Sequence, residues 1–307
     1  MTQYIIRRLL QMIPITFGIV TLIFALIHLI PGDPAIQIAG ENARPEDVAQ
    51  VRRQLGLDKP LWEQYVSYLG GLARGDLGTS FRTREAVSKE IWLRYPATIQ
   101  LAIGGMVVAL LVAFPLGILS AIYRSTWIDN VARFFALIGV SMPSFWFGPL
   151  LIIAFAIHFE WFPVSGRDQG FRSLVLPSLT MGLSLAAILT RMIRVSLAEE
   201  LNQLYFTTAL AKGVSKGRAI FVHAMKNAMI PVVTILGLQF GSLLTGAIIT
   251  EQIFSWPGLG RLLIQSISTR DYPQVQGSIL VIALTYIMIN LLTDILYGVI
   301  DPRIKYD

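Results

Sequence analysis

Few residues in this sequence have the types and spacing that chemistry requires. The absence of cysteine excludes disulfides, thiolate metal sites and cysteine nucleophiles. His28, His158 and His223 are the only histidines, and they are too isolated to match any metal-ligand spacing. Asp294 is the only acid well inside an apolar segment. A snorkelling or helix-paired carboxylate is the plainer account of it, since no basic partner shares such a segment; Asn290, one helical turn earlier, can hydrogen-bond with it. A membrane enzyme would need paired acids, a nucleophile with its base or a metal cluster, and the apolar segments supply none. Gly213-Val214-Ser215-Lys216-Gly217 carries a lysine but follows no strand, and no phosphate-cradling G-x-x-x-x-G-K-[ST] occurs. An acidic ring or filter-like segment, as an ion channel would need, is also missing.

What remains is a basic segment from Arg194 to Lys226, set among elements that must hold it. Of 307 residues, 54% are hydrophobic and 14% charged, with mean hydropathy +0.61. A soluble chain carries about a quarter charged residues. The deficit is made up by apolar runs, as in a chain solvated by lipid. Six segments are long enough to span: Leu9–Ile30, Ala97–Tyr123, Val131–His158, Leu174–Arg191, Ala228–Thr250 and Ser278–Val299. About 20 residues at 1.5 Å each cross the hydrocarbon core, and backbone amides in lipid must pair internally. The expected fold class is therefore all-α integral membrane, with six transmembrane helices. Arg7 and Arg8 precede a first apolar run of 22 residues with no small-residue cleavage site after it, so an uncleaved span is expected rather than a signal peptide.

Charge orients the chain. With the N-terminus inside, the inner segments hold 12 Lys and Arg and the two short outer loops hold 4. The long first outer loop has nine basic and nine acidic residues, and loops of that length cross largely regardless of charge. Both termini are thus expected to be cytoplasmic, and the net charge of +6 reflects basic loops on one membrane face rather than affinity for nucleic acid. Three regions follow: residues 1–30, the cytoplasmic N-terminus and first span; 31–96, an extracytoplasmic loop with short amphipathic helices; and 97–307, a five-helix core with a loop at about 194–227. In the outer loop, Val48, Val51, Leu55 and Leu57 suggest one short helix, and Pro60 to Leu72 another, ended by Gly75-Asp76-Leu77-Gly78. Proline and glycine inside the spans, among them Pro115, Pro143, Pro149, Pro177 and Pro231, fit kinked, closely packed helices.

The basic loop predicts two helices, Leu197–Lys212 and Lys216–Asn227, around a break at Gly213-Val214-Ser215. In the second, Ile220, Phe221, Ala224, Met225 and Ala228 form an apolar stripe, with Arg218 and Lys226 outside it. A plain connection does not need some 32 residues of amphipathic order. Periodicity leaves two partners open, anionic lipid or a cytoplasmic protein.

The loop reads Tyr205-Phe-Thr-Thr-Ala-Leu-Ala-Lys212-Gly213 and then His223-Ala-Met-Lys-Asn227-Ala-Met-Ile-Pro231-Val. With it stand Arg7-Arg8, Pro31-Gly32-Asp33-Pro34, Leu55-Gly-Leu-Asp-Lys-Pro60, Gly75-Asp-Leu-Gly78 and Arg191-Met-Ile-Arg194 with Ser196 and Glu200. Glu251-Gln-Ile-Phe-Ser-Trp-Pro257-Gly-Leu-Gly260, Arg270-Asp-Tyr-Pro273 and Asp301-Pro-Arg303 follow. In this order, over nearly the whole chain, the pattern resembles the ABC importer permeases of the peptide/nickel class, the dipeptide and oligopeptide "B" subunits, and is similar to glutathione permease subunits. Thr207-Thr208-Ala209 stands where many importers have Glu-Ala-Ala, and Pro231 lies 18 positions after Gly213, more than the short form of the motif allows. Both departures are shared by peptide-class members.

The resemblance implies the type I ABC importer permease fold and a multi-pass protein of the bacterial or archaeal cytoplasmic membrane. It implies a transmembrane permease subunit of an ATP-driven, binding-protein-dependent importer, forming half of a pathway for di- or oligopeptides, with glutathione, nickel chelates or oligosaccharides as alternatives. Its partners would be a second, homologous permease in a heterodimer, two cytoplasmic ATPases, an extracytoplasmic solute-binding protein and membrane lipid. The chain would hold no cofactor and perform no catalysis, ATP and Mg sitting on the ATPases. Tyr205, Thr208, Ala209, Ala211, Lys212 and Gly213 would form the ATPase-coupling contact. Ser141, Pro143, Ser144, Gln239 and Ser242 are candidates to line the pathway, and Trp256, Pro257 and Gly258 to meet the binding protein. A helix-to-helix hydrogen bond is an equal account of each polar pathway candidate. A non-transporting membrane anchor for a cytoplasmic partner is the reading from a different class.

Overall fold

The computed structural model describes residues 2–29, 34–40, 43–54 and 56–300. Pro31-Gly32-Asp33, Leu55 and Asp301-Pro302-Arg303 lie outside the described residues. Among those described, the regular structure is helical apart from one isolated antiparallel bridge, Thr79 to Ala86. Among the described residues, five stretches are long and apolar enough to cross a membrane: Ile6–Ala25, Val87–Ile122, Phe171–Leu201, Lys216–Ile253 and Tyr272–Ile295.

In chain order the helices are α1 (Thr2–Leu29), α2 (Pro34–Ala39), α3 (Pro45–Gln54), α4 (Leu61–Ala73), α5 (Val87–Ile122), α6 (Trp127–Ser141) and α7 (Ser144–Leu151). There follow α8 (Phe171–Leu201), α9 (Leu204–Ala211), α10 (Lys216–Arg218), α11 (Met225–Ile253), α12 (Leu259–Ser268) and α13 (Tyr272–Ile300). The segment expected as one span, Val131–His158, is broken. Met142 is extended (φ −86°, ψ 116°), as a residue before proline prefers, so α6 stops at Ser141 and α7 starts at Ser144, just after Pro143. After Pro149, which cannot donate a backbone bond, Ile152–His158 widens into π-helical winding. A second difference is at α5, whose first turns, Val87 to Pro96, fall within the expected outer loop.

The chain forms two compact units. One comprises Met1–Arg7, Ala97–Pro257 and Tyr286–Asp307. Its core is built along α8, where Met181, Leu185, Leu189 and Ile193 recur every four residues and so share one face. Leu101, Ala109 and Ala113 of α5 and Val232, Leu243 and Ala247 of α11 pack against it. Small residues let the backbones come close, which is how helices associate where lipid offers no hydrophobic drive. Gly182 marks a close approach of α8 to α5: a Cβ there would lie 2.6 Å from both the Gly105 carbonyl oxygen and the Val108 Cβ.

At one end of α8 this unit is tied by a buried carboxylate. Asp129, in the first turn of α6, is fully buried. It accepts bonds from Arg194 Nε at 2.6 Å and Nη2 at 2.9 Å, from the Ser120 hydroxyl at 2.6 Å and from the Ser125 amide at 3.0 Å. Arg133 Nε stands 3.6 Å away. One side chain thus joins the end of α5, the turn after it, α6 and α8. Arg194 does most to hold the Asp129 carboxyl well below the usual carboxylate range; burial opposes this, and the Ser120 and Ser125 bonds support it.

The second unit comprises Arg8–Pro96 and Gly258–Thr285. Here α4 covers α1: Tyr65 shares a 2.6 Å hydrogen bond with Thr21, and the Phe24 ring touches Tyr65 and Tyr68. Two of the spaced motifs serve this unit's loops. The Asp76 carboxylate accepts the Gly78 amide at 2.8 Å, and Asp271 accepts the Ser80 hydroxyl at 2.5 Å and the Phe81 amide at 3.0 Å.

Two outcomes are predicted. Gly182→Val overpacks the contact between α5 and α8 and lowers stability by about 1–3 kcal/mol, measurable as an earlier thermal transition in detergent. Asp129→Asn leaves Arg194 without its counter-charge and costs about 3–5 kcal/mol at neutral pH. Because the folded pKa is depressed, this contribution is present above the ordinary carboxylate pKa and is lost as the pH falls through the folded value. The stability gap between wild type and Asp129→Asn is therefore constant from neutral pH down to about 4 and narrows below it.

Candidate coupling surface

The basic loop is an arm carried between α8 and α11. The helix expected over Leu197–Lys212 is interrupted: Leu197–Leu201 finish α8, and Gln203 is extended (φ −76°, ψ 148°) before α9 begins. The Asn202 side chain donates to the Ala198 carbonyl at 2.8 Å, a local bond that competes with helix continuation. The expected break at Gly213 is present. Its φ of +82° suits glycine, and the amides of Val214 and Gly213 close onto the carbonyls of Ala209 (3.2 Å) and Leu210 (3.0 Å). These are the paired bonds of a Schellman cap with glycine in the left-handed position. The chain then reverses through α10 and a π-wound stretch, Ala219–Ala224, into α11.

Phe206 roots the arm. It is the buried residue of α9, packed in a cluster with Ala121, Leu197, Ala219, Ile220 and Ala224. Of the expected stripe, Ile220, Ala224 and Ala228 are buried, whereas Phe221 is 60% exposed and lies outside it. The six residues expected to contact an ATPase fall together on α9 and its cap. Tyr205, Thr208, Ala211, Lys212 and Gly213 are exposed and Ala209 is half-buried. Leu204, 85% exposed, adds an apolar side chain beside them.

A second feature is a cleft of about 320 Å³ between α6, α8 and α11. Gln239 and Ser242 line it, opposite Met142 and Ser184. Ser141 and Pro143 are exposed and flank Met142 without lining the cleft, and the Ser144 side chain is outside those described.

The segment after α11 departs from expectation. Trp256 is fully buried; its indole donates to the Ala97 carbonyl at 2.8 Å, and the Arg167 guanidinium lies 5.7 Å over its ring. Its side chain is thus an internal anchor and not the surface contact expected of it. Gly258 is buried and Pro257 half-buried. Nearby, buried Glu251 accepts the Thr98 hydroxyl at 2.6 Å. The quoted motif contains both Glu251 and Trp256, but spacing gave no sign that both turn inward. Among the described residues, no three His, Cys, Asp or Glu side chains are grouped so as to hold a metal ion.

Residues 113–306 match the family described as "Binding-protein-dependent transport system inner membrane component", and residues 1–102 match the N-terminal family of the same system. The dipeptide transport system permease protein DppB of Escherichia coli K12 is 44% identical over 337 residues, covering 100% of this chain and 99% of its own. DppB of Alkalihalophilus pseudofirmus is 44% identical over 333 residues, with both chains fully covered. The glutathione transport system permease protein GsiC of Escherichia coli K12 is also 44% identical, over 306 residues and with full coverage of both. Among solved structures, the inward-facing MetNI methionine ABC transporter aligns with TM-score 0.56 at 14% identity, over 68% of this chain and 94% of that one. An amino acid ABC transporter crystallised with histidines gives TM-score 0.54 at 17% identity, over 71% and 95%. These structures share the fold, that of the all-helical type I ABC importer permease. The chain belongs to the binding-protein-dependent transport system inner membrane components, as a multi-pass inner-membrane permease subunit of an ABC importer, homologous to dipeptide and glutathione permeases.

Proposed function

We propose that this subunit forms half of a translocation pathway for di- or oligopeptides and that α9, with its Gly213 cap, is the helix that receives the motion of an ATPase. The observation that carries the reading is the arm itself. A short helix is rooted by one buried phenylalanine, closed by a glycine cap and presents Leu204, Tyr205, Thr208 and Lys212 outward. Small side chains at Ala209 and Ala211 leave room for a groove to close around it. Gly213 permits the sharp exit that keeps the helix to two turns.

The remaining assembly follows the family. A second, homologous permease completes the pathway as a heterodimer, two ATPases carry the ATP and Mg, and a solute-binding protein delivers substrate from outside. The chain crosses the membrane six times, α6 and α7 sharing the broken span, with both ends cytoplasmic. In this topology residues 1–30 are the N-terminus and first span, 31–96 the extracytoplasmic loop and 97–307 the core. Of Trp256, Pro257 and Gly258, the half-buried Pro257 is left to meet the binding protein, since the other two are buried. Gln239 and Ser242 line the pathway, while Ser141, Pro143 and Ser144 border it. The cleft wall offers an amide, hydroxyls and methionines without a fixed charge, which suits a zwitterionic peptide that must be released. Glutathione is the second reading, supported by the 44% identity to GsiC.

In proteoliposomes carrying the full complex, Ala209→Arg and Gly213→Pro reduce substrate-stimulated ATP hydrolysis to the basal rate while the subunit still inserts. Unchanged stimulation overturns the coupling role. Dipeptide uptake that requires both ATP and the binding protein supports the transport reading; partner binding without flux would leave only an anchor.

A further inference from the structure

The geometry of the arm raises a question that its docking surface does not answer: what sets the angle of α9. Its backbone ladder is cut at Asn202 and Gln203, so the helical hydrogen bonds of α8 do not continue into it. Phe206 secures one face of α9 by apolar contact, which is non-directional. The directional contact spans the hinge. The Tyr205 hydroxyl donates to Glu200 Oε2, and the Asn227 amide reaches both of them, 3.5 Å from Glu200 Oε2 and 3.4 Å from the Tyr205 oxygen. Glu200 belongs to the last turn of α8, Tyr205 to the first turn of α9 and Asn227 to the first turn of α11. Three helices therefore meet at one carboxylate. Glu200 and Asn227 are half-buried, and Tyr205 is 37% exposed on the face that α9 presents outward.

We infer that Glu200 is a positioning residue whose carboxylate latches α9 to α8 and α11 together, so that force on the arm reaches both long helices at once. This rests on α9 being the coupling helix. The latch has the chemistry for the task. A hydrogen bond to a carboxylate is roughly twice as strong as a neutral one, and it strengthens when water is removed. A partner that covers Tyr205 dries the bond, so docking itself stiffens the hinge. Without the latch, α9 still docks through its exposed residues, but pivots at Gln203 and dissipates the displacement.

The test compares Glu200→Ala, Glu200→Gln, Tyr205→Phe and the Glu200→Ala/Tyr205→Phe double variant in the reconstituted complex, reading substrate taken up per ATP hydrolysed. Glu200→Ala and Tyr205→Phe each lower that ratio by about tenfold, the scale of one hydrogen bond to a charged group. Glu200→Gln, which keeps an accepting carbonyl, restores most of it, and the double variant is no worse than either single one. Ala209→Arg is run alongside. If it leaves stimulation intact, the coupling assignment of α9 falls, and the latch with it. If Ala209→Arg abolishes stimulation while Tyr205→Phe and Glu200→Ala keep the wild-type ratio, or their losses simply add, the latch alone falls. Should Glu200→Ala fail to assemble, Tyr205→Phe, which removes a single oxygen, decides the matter.

Discussion

The fold around the arm depends on burying one negative charge. A lone carboxylate in an apolar interior is prohibitive, and Asp129 is tolerated there only because Arg194 meets it with two bonds and the Ser120 hydroxyl and Ser125 amide fill its remaining positions. The requirement runs both ways. Satisfying Asp129 forces the turn between α5 and α6 to sit against α8 at a defined height, about two turns before α8 ends and the arm begins. Packing holds the apolar contacts elsewhere in the unit; this junction is specified atom by atom.

Below that junction the structure becomes progressively less constrained. The upper part of α8 is wedged between α5 and α11 by small residues, and its last turn is free enough for Asn202 to divert the chain. Rigidity thus gives way to an articulated end at the point where a moving partner would act. The same gradient is visible in chemistry: dispersion and close packing above, an ion pair at the boundary, then a polar triad and an exposed two-turn helix. Each step exchanges density for directionality.

Much of this was legible in the residues, and the exceptions have physical reasons. Apolar runs marked the long helices because the cost of unpaired amides in lipid leaves few alternatives. Gly213 was readable as a break because its left-handed backbone strongly favours that residue type. The split of Val131–His158 was not read, although Pro143 was noted, because proline is common in membrane helices and kinks more often than it ends them. The hinge at Asn202 is a side-chain bond over four residues, and one asparagine in a polar stretch carries no such signal. The resemblance put Trp256 at the binding-protein contact; its burial depends on the Ala97 carbonyl, 159 positions away in sequence. Glu200 and Asn227 were both quoted as motif members, but their meeting with Tyr205 is a tertiary fact.

The side chains that stand proud of the arm carry a cost for the cell. Leu204 is 85% exposed, and Phe221 and Val222 are 60% and 54% exposed on the stretch that follows. Greasy surface of this kind is what chaperones and proteases bind on unfinished proteins. Left uncovered, these side chains invite the same recognition on the folded subunit.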